Sequence, residues 1–226
     1  NVDGGGIYCN QESFAIERCI ITENKAGGDG GGIYCKDSEL TITNCLVVDN
    51  EAGDDGGGIY DCNSSPTLIN CTFSSNTATS EGGGTYNRGA LSKPEVINCI
   101  FWNDDASTGD EVYNSLSADP NFGYCDIEGC GGSGSWNSSF GKNDGGNIDS
   151  DPCFVNINNP AGADGKFCTS DDGLRLKNNS PCIDAANGNA APVADILCLG
   201  RMDIEGINNT GIGNPDYADI GTYEFS

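Results

Sequence analysis

Gly30-Gly31-Gly32-Ile33-Tyr34-Cys35 recurs in near copy at residues 4–9, 56–60 and 82–86, with the leading glycines at 4, 30, 56 and 82 standing 26 residues apart. A second mark keeps step with it. This is an apolar-flanked cysteine at Cys19, Cys45, Cys71, Cys99 and Cys125, followed more loosely by Cys153 and Cys182. Self-similarity of this length marks a stacked repeat architecture, in which each unit buries its apolar face against the next. Within one period, the glycine turn enters a short strand at Ile33-Tyr34-Cys35, and Leu40 to Val48 reads as a longer strand region with Asn44 at its middle. Ile, Val, Thr, Tyr and Phe dominate these runs, and Gly, Asn, Asp and Ser cluster between them as turns. At ~3.3 Å per residue, 26 residues are far too long for a hairpin and fit one three-sided coil of a parallel β-solenoid, rising about 4.8 Å per coil. The expected fold is all-β, with about seven coils of roughly 26 residues and a C-terminal cap over the final edge.

The period organises the chain as one continuous domain. Residues 1–128 carry the regular coils, with Glu111-Val112-Tyr113 standing where Ile-Tyr stood before. Residues 129–150 form a Gly/Ser/Asn-rich insertion, read as a surface loop between coils. Residues 151–226 resume the signal more weakly at Cys153-Phe154-Val155 and Leu174-Arg175-Leu176, then end on Asp219 to Phe225 as a last strand and cap. The chain opens in mid-repeat at Asn1, so a bare strand edge is expected there, covered by an upstream coil or a neighbouring subunit. Contact of that kind between subunits is head to tail and grows a homo-oligomer or filament.

Asp and Glu number 34 against 10 Lys and Arg, a formal charge of −24. Nucleic acid and anionic membranes are therefore repelled, and cations such as calcium attracted. No apolar run reaches the length of a membrane span. Thirteen cysteines without zinc-like spacing point to an oxidising, extracellular space. On that ground the cysteines pair as Cys9 with Cys19, Cys35 with Cys45, Cys62 with Cys71, Cys125 with Cys130, Cys153 with Cys168 and Cys182 with Cys198, leaving Cys99 a free thiol. The competing reading is an inward ladder of small buried thiols.

In-register stacking turns equal positions into ladders. If the row Ile7, Ile33 and Ile59 points inward, then Tyr8, Tyr34, Tyr60 and Tyr86 point outward. Such a stripe offers a surface for glycan or a protein partner, or the rings simply stack on one another and strengthen the sheet. The rows Asn24, Asn50, Asn76 and Asn44, Asn70, Asn98 suit left-handed turns and amide bonding between copies. Catalysis has little footing. The absence of histidine removes Ser-His-Asp and Cys-His arrangements, and Asp54-Asp55 and Asp104-Asp105 read as solvated acids rather than a glycosidase pair.

The motifs GGGIYC and ITNC, then YCDIEGC, NIDSDPCFV, GLRLKNNSPCIDAA and the closing DIGTYEF, resemble bacterial right-handed parallel β-helix repeat proteins of the cell surface and secretome, some of which carry anchor signals. The resemblance covers essentially the whole chain. It implies a right-handed β-helix in an extracellular or cell-surface setting, with adhesins, surface-layer components and carbohydrate-active enzymes all among such proteins, so it leaves the activity open. It also implies a calcium loop at Asp164, Asp171 and Asp172, with Asn158 beside them. Calcium takes six to eight oxygens of this kind, and a solvated acidic turn is the alternative. The leading expectation is a non-catalytic structural or adhesive protein that self-assembles into a filament or surface layer. A carbohydrate-binding module using the Tyr ladder, or a calcium-dependent polysaccharide lyase or glycoside hydrolase, stands behind it.

Overall fold

The computed structural model describes residues 2–225. Its strands fall into parallel sheets along the faces of a solenoid. The first sheet stacks Ile7–Asn10, Ile33–Lys36, Ile59–Cys62, Thr85–Arg88 and Val112–Ser115. The second stacks Ala15–Glu17, Thr41–Thr43, Thr67–Ile69, Glu95–Ile97, Asn121–Gly123 and Lys142–Asn143. The third stacks Ile20–Thr22, Leu46–Val48, Thr72–Ser74, Ile100–Trp102 and Asp126–Ile127. A two-residue strip, Lys25–Ala26, Glu51–Ala52 and Thr77–Ala78, completes each of the first three coils. The register follows the repeat, with Ile7 against Ile33 and Ile33 against Ile59.

The triple glycine has a separate reason at each place. Gly30 and Gly56 lie at φ +72° and +70°, a left-handed turn that glycine enters without Cβ strain. A Cβ on the middle glycine would strike backbone: on Gly57 it would stand 2.5 Å from Gly83 O and 2.6 Å from Thr77 O. The corner between the second and third sheets is also left-handed, at φ 50°, 48° and 56° for Asn44, Asn70 and Asn98. Asparagine is the side-chain-bearing residue that best tolerates that conformation. Inside the coils, Ile33, Ile42, Val47, Leu68, Phe73, Val96 and Phe101 form a continuous core, with Phe73 and Phe101 stacked at 4.4 Å.

Five turns form, rather than about seven. Cys153 and Cys182 keep the rough spacing, but no strand forms at either; residues 151–225 contribute only isolated bridges, such as Phe154 to Leu176, which is antiparallel. Nor does this segment cap the end of the stack. It lies along the outer face of the third sheet, where Leu46, Val48 and Ile100 pack with Cys182, Ile183, Ala218, Ile220 and Tyr223. Strand Leu46–Val48 is consequently buried at all three residues instead of alternating, because both of its faces are covered. The Asn corner row binds this strap. Asn44 Nδ2 donates to Ala194 O (2.8 Å), Asn70 Nδ2 to Asp219 O (3.0 Å) and Gly221 O (3.1 Å), and Asn98 Nδ2 to Asn187 O (3.1 Å).

The glycine-rich insertion is more than a surface loop. Lys142–Asn143 adds a strand to the second sheet beyond Asn121–Gly123, and Trp136 and Phe140 pack against the end of the inner core. Phe122, Trp136 and Phe140 form an aromatic chain at 6.0 and 6.1 Å.

Candidate functional site

The tyrosine row points away from the inner core and stacks almost perfectly, with centroids 5.0 to 5.6 Å apart from Tyr8 through Tyr34, Tyr60 and Tyr86 to Tyr113. It does not form an open stripe. Tyr34, Tyr60 and Tyr86 are 9%, 2% and 5% exposed, and only Tyr8 at the end of the row presents a large free surface. Each ring covers the next, and the hydroxyls are engaged: Arg88 Nη1 donates to Tyr60 Oη at 3.0 Å, and Tyr86 shares a hydrogen bond with Ser115 at 2.9 Å. Burial raises the pKa of Tyr34 to about 12 and that of Tyr60 further. Neither face of these rings is open to a sugar.

The cysteines stack between coils instead of closing loops within them. Cys9, Cys35, Cys62, Cys71, Cys125, Cys130, Cys153, Cys168, Cys182, Cys198, Cys19 and Cys45 are free thiols here, as is Cys99, so the expected bridges are absent. The corner row forms an inward ladder: the backbone N–H of Cys19 donates to Cys45 Sγ, that of Cys71 to Cys99 Sγ and that of Cys99 to Cys125 Sγ, each at 3.4 Å. Small polarizable thiols fill this crowded line as apolar residues do. Cys182 instead donates its thiol to Asp126 Oδ2 at 3.1 Å, joining the strap to the fifth coil. Burial lifts Asp126 to about 7.

The acidic loop is brought together, with its carboxylates directed at its own backbone. Asp171 Oδ2 accepts from the backbone N–H of Ala163 (2.7 Å) and Asp164 (3.1 Å), and Asp164 Oδ1 from Lys166 (2.8 Å). Asp172, fully buried, accepts from the N–H of Cys168 (2.7 Å) and Thr169 (3.2 Å) and from the Tyr223 hydroxyl. The Thr169 hydroxyl, which donates to Asp171 Oδ1 at 2.7 Å, and then the N–H groups of Asp164 and Ala163 hold Asp171 below the usual carboxylate range. Among the described residues, no side-chain hydrogen bond joins Asn158 to the set. The loop is thereby fastened to the end of the strap, whose Arg201 and Glu224 pair at 2.6 Å with side chains 4% and 0% exposed.

Between loop and coils lies a feature that sequence reasoning missed. Trp102 stands in register with Ser74 at the end of the third sheet, half-buried, and forms one wall of an open cleft of about 430 Å³ with Phe154, Asp151, Asn156, Lys177 and Asn179. An aromatic replacing a small polar residue in a ladder was the available signal. Its partners across the cleft, from Asp151 onward, come from sequence 49 residues or more away and could not be read from the period.

These coils match known repeats in two places. The family described as Right handed beta helix region matches residues 1–73, and the Chlamydia polymorphic membrane protein repeat matches residues 70–88. Residues 1–88 are thus similar to right-handed β-helix repeats, and the described residues stack as a parallel β-solenoid. The two matches overlap at residues 70–73 and lie within the regular coils. A search of the curated proteins and a search of solved structures return no match. Among the described residues, no helix is long and apolar enough to cross a membrane.

Proposed function

We propose that this β-helix is a surface-exposed, extracellular rod with a structural or adhesive role, comparable to the passenger region of a secreted or cell-surface repeat protein. The observation that carries this reading is the polymorphic membrane protein repeat at residues 70–88, lying inside coils whose apolar, amide and thiol rows are all committed to stacking. A rod built this way presents long, rigid, strongly acidic faces, suited to display rather than to turnover. Antibodies raised against the purified chain should label intact cells of its source organism; labelling confined to permeabilised cells would refute the surface role. Self-assembly belongs to the same reading. Ile7–Asn10 pairs on one side only among the described residues, and an edge of this kind accepts another parallel coil, whether from the same chain or from a neighbouring one. Negative-stain microscopy should show end-to-end filaments, and discrete short rods at all concentrations would remove that part. Calcium at Asp164, Asp171 and Asp172 with Asn158 would brace the loop, and a titration producing no heat would remove it.

A second reading, glycan binding, is favoured by the Trp102 cleft. Its half-buried indole, with Asn156, Asn179, Asp151 and Lys177 around it, combines an apolar platform with amide and charged groups, the usual make-up of a small-molecule cleft. Trp102→Ala should abolish any binding found on a glycan panel, and binding that survives the substitution would exclude this cleft.

A further inference from the structure

Two ladders change character at neighbouring steps of the stack. The row Asn24, Asn50, Asn76, buried from Asn50 on, continues into Asp104, and the third glycine of the repeat, Gly6, Gly32, Gly58, Gly84, continues into Glu111. In earlier coils these rows meet as glycine against amide: a Cβ on Gly32 would stand 3.2 Å from Asn50 Cγ, and one on Gly58 3.4 Å from Asn76 Cγ. In the fourth coil Gly84 meets a carboxyl in place of the amide, a Cβ on it standing 2.7 Å from Asp104 Oδ2, and Glu111 of the fifth coil brings a second carboxyl to the same place. One oxygen of each is occupied. Asp104 Oδ1 accepts from Asn76 N (2.7 Å) and Nδ2 (2.8 Å), and Glu111 Oε1 accepts from Asp104 N (3.1 Å). The others, Asp104 Oδ2 and Glu111 Oε2, are buried and have no donor among the described residues, although Asp104 and Glu111 are only 6% and 3% exposed. Both side chains line an open cleft of about 420 Å³ that Asp110 and Glu128 share, and no lysine or arginine stands among its lining residues.

Two buried carboxyls held together require a proton or a cation between them. Burial, and for Glu111 the neighbouring Asp104, raises both above the ordinary carboxylate range, Asp104 to about 7. We propose that Asp104 and Glu111 anchor a calcium site at the junction of the fourth and fifth coils. The donors are all oxygen, which selects a hard cation, and calcium accepts irregular sets of six to eight oxygens. Among the described residues no group of three acidic or thiol side chains is placed to hold a metal. The two carboxylates would be the anchor, with water and oxygens of the cleft lining, such as those of Asn103, Asn137 and Ser139, completing the shell. With a net charge of −24 on the chain, the surrounding field also favours cation entry. This place is separate from the Asp164–Asp172 loop, whose carboxylates already accept backbone N–H groups.

The test is calcium chloride titrated into chelator-treated protein at pH 7.5, read by calorimetry and by thermal melting. The variant is Asp104→Asn with Glu111→Gly, which restores the Asn and Gly of earlier coils and so keeps the fold; circular dichroism and the calcium-free melt check this. Wild type should show saturable binding and a calcium-dependent rise in melting. The double variant should lose one saturable binding step and the part of the rise that goes with it, whereas Asp171→Asn, which alters only the separate loop, keeps that step. A wild type with neither heat nor melting shift would mean a proton-sharing pair only and overturn the site. Binding unchanged in the double variant, or abolished by Asp171→Asn alone, would overturn it equally.

Discussion

Asp61 occupies a row that reads Cys9, Cys35, Asp61, Asn87, Asn114 along the first sheet. It is completely buried and neither carboxyl oxygen accepts a hydrogen bond among the described residues. The adjacent Ser64 and Ser92 hydroxyls donate elsewhere, to Cys62 O at 3.2 Å and Arg88 O at 2.6 Å. Burial lifts the Asp61 pKa from 3.8 to about 8. The folded protein thus holds a proton that the unfolded chain releases near pH 4. The stabilisation linked to that proton is fully present below the unfolded pKa and is lost as pH rises through about 8. At about 1.4 kcal/mol per pH unit, the loss by pH 7 is about 4 kcal/mol. Asp61→Asn keeps the shape, matches Asn87 in the next coil and has no proton to lose. The variant should equal wild type in stability at pH 4 and exceed it by about 4 kcal/mol at pH 7. Urea unfolding of both proteins from pH 4 to pH 8 checks this. The buried Asp104 and Asp126 titrate in both proteins and cancel in the difference. A difference that stays constant with pH would refute the reasoning.

Gly57→Ala should destabilise the protein by about 3 kcal/mol in urea unfolding, because its methyl would meet backbone oxygens at 2.5 and 2.6 Å that have nowhere to move. Asn70→Ala removes both donations to the strap and the residue that suits φ 48°; a loss of about 2 to 3 kcal/mol is expected, with faster proteolysis within residues 180–225. Native-state alkylation followed by peptide mapping should modify the exposed Cys19, Cys168 and Cys198 rapidly and leave Cys45, Cys71, Cys99 and Cys125 protected until unfolding.

The repeating coil was legible because it is local information written several times. The copies place a left-handed glycine, a strand and a left-handed corner, asparagine in the second to fourth coils, at the same phase, and stacking of equal positions follows without further knowledge. That reasoning also directed Ile33 inward and Tyr34 outward. It did not show that the tyrosines would cover each other, since exposure depends on the spacing of rings between coils rather than on the side they leave. Thiols at Cys45, Cys71 and Cys99 were equally visible as a row, but whether a row bonds within a coil or between coils is settled by which atoms face one another.

What the sequence determined by itself, then, was the period, the strands, the register and the identity of the ladders, all consequences of short-range pattern and strand geometry. Only the tertiary structure decided where the aperiodic segments go. Trp136 and Phe140 close the end of the inner core, and residues 180–225 run along the side, through contacts such as Asn70 to Asp219 and Thr222 to Cys45 that span 149 and 177 residues. The Asp104 and Glu111 meeting has the same origin. Each is an unremarkable acid in the chain, and the pair exists because the Asn row changes to Asp104 in the fourth coil and the glycine row to Glu111 in the fifth, bringing carboxyls together where the first three coils set an amide against a glycine.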